Sequence, residues 1–226
     1  MNRIFFFLLI SALGINAEET ATISTASVLN QSSVSITNTN SLSEFTENTE
    51  VIKELISLAK NYKDENEKGI SSEEKESRAK IRKRISEILD MKEMAHLILK
   101  NYWDKLKPEE REKYTNLWIK LMEKIGYPQI ADYFNKKIEI EYVGEKKQGE
   151  NTIVQTKIIY HDEDLILNTE FYMHKIKTGP AIYDVITDGD SLLLIYRNQH
   201  MQIIKEKGFS ELIRLMNKKL NSDKKQ

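Results

Sequence analysis

Between Ile138 and Thr187 the apolar residues keep the period of a sheet. Ile138, Ile140 and Tyr142 alternate with Glu139 and Glu141, the two-residue repeat of a half-buried strand. Gly144–Gly149 supplies a turn, and Ile153–Tyr160 reads as the next strand. After the turn His161-Asp162-Glu163-Asp164 come Leu165–Ile176, the turn Thr178-Gly179-Pro180, and Ala181–Thr187. None of these connections is long enough for the crossover a parallel pair needs, so the four strands must form an antiparallel sheet. Everything else in the chain has to pack against it.

The flanks carry the helical period. Val51, Leu55, Leu58, Ala59 and Tyr62 share one helical face, and beyond the polar stretch Lys63–Lys75 a second helix holds Ile81, Ile85, Ile88 and Leu89. A third starts at Asp90 with Met94, Leu97, Ile98 and Trp103 as its apolar marks. Lys107-Pro108-Glu109-Glu110 is a helix start, since proline in the first turn gives up no needed donor and the glutamates face the positive dipole end. Tyr114, Leu117, Trp118, Leu121, Met122 and Ile125 then follow at i, i+3, i+4, i+7, until Gly126 and Pro128, which are expected to break or kink the helix. Gly189 should end the sheet, with Asp190 or Ser191 capping a helix marked by Leu192, Ile195, Tyr196, Ile203 and Ile204. Gly208 separates it from a last helix with Leu212, Ile213, Leu215 and Met216. Strands bracketed by helices predict an α+β domain, one four-stranded antiparallel sheet with helices on its apolar side.

The domain does not begin at Met1. Arg3 followed by the ten-residue apolar run Ile4–Leu13 is too short to span a bilayer and has the form of a secretory signal, with cleavage expected between Gly14 and Ala17. Residues 18–48 are rich in Ser, Thr and Asn without period and read as a flexible linker; 49–220 is the folded domain and 221–226 a polar tail. Lys+Arg number 34 against 35 Asp+Glu, so there is no basic excess to argue for nucleic acid. With no cysteine, disulfides, thiol nucleophiles and Cys-based zinc sites are excluded. A mean hydropathy of −0.52 excludes a multispanning membrane protein.

Few residues suggest chemistry. Gly189-Asp190-Ser191-Leu192 spells the block that opens one family of esterases, which would make Ser191 a nucleophile in need of a histidine base and an aspartate. That block belongs near an N-terminus with an Asp-x-x-His far downstream; here His200 is the only later histidine, so helix capping is the better reading and an exported esterase the alternative. His161–Asp164 offers metal-type ligands, but four in succession point in different directions and read as a solvated turn. No catalytic residue, metal or cofactor is expected.

Two separated blocks go further. Tyr183-Asp184-Val185, Gly189, Ser191-Leu192, Tyr196-Arg197, Gln199, Ile203, Gly208 and Leu212 resemble the C-terminal signature of the MlaC-like, or toluene-tolerance, family of ABC-transporter auxiliary proteins. Asp90, Met94-Ala95, Leu99, Tyr102-Trp103, Pro108-Glu109-Glu110-Arg111 and the face from Tyr114 to Leu121 resemble a second block. The chain departs from the pattern in having Pro180-Ala181-Ile182 where a Trp is usual, His200 where Phe is common, and Gly126 and Pro128 in a helix usually continuous. The resemblance implies a curved antiparallel sheet with helices enclosing an apolar pocket. It implies a non-enzymatic periplasmic carrier of glycerophospholipid, running between an outer-membrane lipoprotein–porin complex and the MCE-type subunit of an inner-membrane ABC transporter, and so maintaining outer-membrane lipid asymmetry. Trp103, Leu117, Trp118, Leu121, Ile140, Tyr142, Phe171, Val185, Leu192, Tyr196 and Ile203, on faces that would meet, are the expected lipid contacts. Asp184 and Arg197 are expected to support the pocket rim as a polar pair or a cap.

Overall fold

A computed structural model describes residues 46–64 and 67–222. The expected signal segment, and the linker up to residue 45, lie outside the described residues, as does the tail from 223. The first helix, α1 (Glu47–Lys60), begins two residues inside the expected linker because Thr46 caps it, its hydroxyl accepting from the Thr49 N–H. α2 (Ser72–Ile88) starts within the polar stretch for the same reason, with Ser71 as cap. α3 (Met91–Leu99) is capped by Asp90, and a 3-10 turn (Lys100–Lys105) leads to α4 (Pro108–Leu121).

Of the break or kink expected at Gly126 and Pro128, the structure shows an interruption of the regular α-helix without a loss of helical course. One π turn, Met122–Gly126, carries α4 directly into α5 (Tyr127–Phe134). Pro128 has no N–H to give the preceding turn and its ring crowds the carbonyl there; a wider turn accommodates both faults.

The sheet follows as β1 (Ile138–Gln148), β2 (Asn151–Tyr160), β3 (Leu165–Ile176) and β4 (Gly179–Thr187), each antiparallel to its neighbour. β1 is longer than expected: Gly144 does not open the turn but passes a bulge at Tyr142/Gly144, and the strand continues to Gln148. A second register shift lies between Tyr172 and Met173, opposite Tyr183. Bulges bend and twist a sheet, and these curve it around what packs inside. A fifth strand, β5 (Asp190–Ser191), corrects the expected four. Asp188 and Gly189 both have positive φ, at 49° and 91°, the two-residue hairpin turn that an Asp-Gly pair favours, so Thr187 pairs back with Asp190 and Ile186 with Ser191. α6 (Leu192–Lys207) and α7 (Phe209–Ser222) close the domain.

The helices fall on one side. α3, α4, α6 and α7 pack on one another, and α1 packs with α5. The corner between α2 and α3 is stapled to the sheet, where the Asp90 N–H donates to the Ile182 carbonyl at 2.9 Å and Leu89 bridges Ile182. Among the described residues no helix is long and apolar enough to cross a membrane.

Candidate lipid-binding site

Between the inner face of the sheet and the helices lies a cavity with about 820 Å³ of atom-free space, its mouth included. The sheet contributes Ile158 from β2, Thr169 and Phe171 from β3, and Ile182, Val185 and Thr187 from β4. These are inward positions of successive strands, held in one row by the pairs Ile158↔Leu167, Thr169↔Thr187 and Phe171↔Val185. The roof is Leu55 of α1, Leu89, Met91 and Met94 at the α2–α3 corner, Met122 of the π turn, and Ile130, Tyr133 and Phe134 of α5. Leu192, at the start of α6, completes the lining. Ile130, Val185 and Leu192 are the half-buried members of this wall and mark the mouth; the rest are buried.

The wall is aliphatic, thioether and aromatic carbon, with threonine hydroxyls already engaged by the sheet. The Thr169 hydroxyl lies 3.4 Å from that of Thr187, and Thr169 also uses its carbonyl to accept from Thr156. Burial keeps the Tyr133 phenol neutral by pushing its pKa well up, with the nearby Asp188 and Glu163 carboxylates adding to the shift. Such a site offers no nucleophile and no charge. What it can do is exclude water from an apolar chain.

Three of the eleven expected contacts, Phe171, Val185 and Leu192, line this cavity. Leu117, Trp118, Leu121, Tyr196 and Ile203 instead sit in closed packing between helices, Trp118 edge-on to Tyr196 with ring centroids 4.7 Å apart. Trp103 is half-buried at the α3–α4 surface, its carbonyl accepting from Arg111 and its ring 5.3 Å from that of His96. Ile140 and Tyr142 line a separate groove between α1 and β1. None of the roof residues is among the expected lipid contacts: the helical period marks Leu55, Leu89, Met94 and Met122 only as buried helix faces, and Met91, Ile130, Tyr133 and Phe134 not at all. The signal that could have found them is a concentration of methionine and aromatics on the helices that meet the sheet.

Gly126 shapes the roof. A Cβ there would stand 2.5 Å from Met122 Cε, so the glycine leaves room for a cavity-lining thioether. Gly126→Ala should push Met122 into the cavity. A helix-propensity gain of about 1 kcal/mol roughly offsets the overpacking, so the melting temperature should change little while acyl-chain uptake falls several-fold.

The residues around Ser191 form a cap. Its hydroxyl donates to Asp184 Oδ2 at 2.6 Å and accepts from the Leu194 N–H, while Asp184 Oδ1 accepts from the N–H groups of Val185 and Leu193. Burial raises the Asp184 pKa against the pull of these bonds. Arg197 caps the other helix of the family pattern, donating twice to the Leu97 carbonyl near the C-terminus of α3. No histidine joins Ser191: the ring of His200 is wholly buried beside Tyr114, and that of His174 reaches Asp90. The esterase alternative therefore lacks its base. Ser191→Ala is expected to cost about 1–2 kcal/mol in a denaturation curve and to leave hydrolysis of a short acyl ester unchanged. His161–Asp164 is the solvated turn expected, its members paired separately with Glu139, Lys137 and Lys136.

Residues 49–218 match the family model of the MlaC protein. Among solved structures, the phospholipid-binding protein from Ralstonia solanacearum, in complex with a phospholipid, is similar at a TM-score of 0.59 and 14% identity, over 78% of this chain and 96% of that one. At that identity the likeness is one of fold. No curated protein matches this chain by sequence.

Proposed function

The chain belongs to the MlaC family, and from that premise we propose that it is a periplasmic phospholipid carrier that takes acyl chains into the cavity beneath its sheet. The observation that carries the reading is the wall itself, a water-excluding surface of carbon with a half-buried mouth at Ile130, Val185 and Leu192. A diacyl lipid has roughly 30 methylenes, and at about 0.8 kcal/mol each its exposure to water costs on the order of 24 kcal/mol. A protein that carries such a molecule across an aqueous gap has to replace most of that contact and needs no catalytic group. The phospholipid in complex with the Ralstonia protein of the same fold supports the choice of ligand.

On this reading Met1–Ala17 directs export to the periplasm, and the domain exchanges lipid with an inner-membrane ABC transporter through its MCE-type subunit and with an outer-membrane lipoprotein–porin complex, preserving outer-membrane lipid asymmetry. Vesicles supply the test. With donor vesicles holding a self-quenched fluorescent phospholipid and unlabelled acceptors, the protein should raise the rate of transfer in proportion to its concentration, and the chain should be released with the periplasmic fraction on osmotic shock. Transfer no faster than in its absence contradicts the carrier reading.

A further inference from the structure

Another depression in the surface lies on the other side of α1. This helix runs antiparallel to the edge strand β1 on the inner face of the sheet. At its start Thr46, Asn48 and Thr49 all donate to the Glu145 carboxylate, while further along Lys53 stands 5.6 Å from the Tyr142 ring. α1 leaves β1 incompletely covered. Ile138, Ile140 and Tyr142 are half-buried, whereas their partners Tyr160, Ile158 and Thr156 on β2 are buried. The result is an open groove with about 550 Å³ of atom-free space, floored by Ile56, Ile140 and the Tyr142 ring and rimmed by Lys53, Ser57 and Lys60. Only α1 and one strand pair separate it from the cavity: Leu55 faces the cavity and Ile56 the groove, and Ile158 of the cavity wall is paired with Ile140.

An apolar floor under a cationic rim selects a ligand that is both greasy and anionic. Lys53 and Lys60 are seven residues apart, two turns and roughly 10 Å along one helix face, so their flexible stems can converge on a single phosphate. Lys60 is exposed, and the Lys53 bond to Glu50 at 2.9 Å is a surface pair worth little against a better anion. Burial and the Glu50 carboxylate hold the Tyr142 phenol up to about 12, so it remains a neutral donor at physiological pH.

We propose that the α1–β1 groove is a second lipid subsite, which lays one acyl chain along Ile56, Ile140 and Tyr142 and holds the phosphate of its headgroup between Lys53 and Lys60. The proposal rests on the carrier reading above, and it gives the domain a charged station beside a charge-free cavity.

Lysophosphatidylglycerol, one chain and one phosphate, is the probe, titrated below its critical micelle concentration and counted by native mass spectrometry. The wild-type chain should bind two molecules, and K53E/K60E one, the groove affinity falling about tenfold or more per lysine removed. Neutral monoacylglycerol should occupy the cavity alone, and 0.5 M salt, roughly a 4 Å screening length, should weaken only the groove molecule. Leu192→Trp, at the cavity mouth, should lose the other molecule and keep the one in the groove. Lys60 is exposed and Lys53 half-buried at the rim, so the double variant should stay folded, with its circular dichroism melt lowered by only a few degrees. Two molecules bound to K53E/K60E, or monoacylglycerol filling the groove as well, overturns the second subsite and leaves the cavity reading standing. Retention of both molecules by Leu192→Trp contradicts the cavity instead.

Discussion

Leu192→Trp should abolish lipid uptake into the cavity while leaving the domain folded. Leu192 opens α6 at the cavity mouth and, like Val185 and Ile130, is a half-buried member of its wall. An indole there can turn inward and occupy the space that the first methylenes of an acyl chain would fill. If about five methylenes lose their apolar surroundings, at about 0.8 kcal/mol each, binding weakens by about 4 kcal/mol, close to a thousandfold. The cost to folding is small because a mouth residue can also lean outward, and Ser191, which caps the helix, is untouched. Leu194→Trp is the control: that side chain is already 48% exposed and does not line the cavity, so its replacement should leave uptake unchanged. The measurement is retention of fluorescent phospholipid after vesicle extraction. Equal loss in both variants would show that bulk near the start of α6, and not the cavity, decides uptake.

A second large effect concerns acid stability. His200 is wholly buried, its Nδ1 2.7 Å from the Tyr114 hydroxyl, with the rings of Trp118 and Tyr196 around it and no hydrogen-bond partner at Nε2. Burial holds its pKa down to about 3, against 6.5 for an ordinary histidine. As pH falls below 6.5 the unfolded chain gains a proton that the folded chain refuses. Stability from this group is therefore complete above pH 6.5 and lost progressively down to about pH 3. Between pH 7 and pH 5 the loss is about 2 kcal/mol, or roughly 4–8 °C in Tm for a domain of this size. His200→Phe, which installs the residue common in the family, should remove that slope, whatever it does at pH 7, where the Tyr114 hydroxyl loses its partner. Glu54 does not confuse the window: Arg84 holds its pKa below the usual carboxylate range, so its contribution is lost only as pH falls further. Parallel melts of the two proteins from pH 7 to pH 5 decide the matter, and identical slopes contradict the role given to His200.

The features legible in the sequence were those that repeat. The alternation at Ile138–Tyr142 and the turns after it specify antiparallel strands; the spacing from Tyr114 to Leu121 specifies a helix face; Ser191 and Gly208 mark the ends of α6, the latter with a φ of 85°. What could not be read is what depends on pairing across the fold. The bulge at Tyr142/Gly144 and the two-residue β5 exist only through their partners on β2 and β4. The site was legible in kind but not in membership. Periodicity shows that Trp118 and Phe171 are both buried, yet it cannot show that one meets Tyr196 in closed packing while the other faces a void. Cavity membership is set by which faces fail to meet. That depends on the sheet's curvature and on the π turn at Met122–Gly126, neither of which has a local period.

The claim on which the rest depends is that the apolar space beneath the sheet exists to hold acyl chains. Isolating the full chain from a bacterial periplasm without detergent, extracting it with organic solvent and identifying the extract by mass spectrometry tests this most directly. Phospholipid should be recovered in stoichiometric amount from the wild type, and Leu192→Trp should yield no more than the share that the groove can hold. A wild-type extract free of phospholipid, from protein that also takes up none from labelled vesicles, would contradict the account.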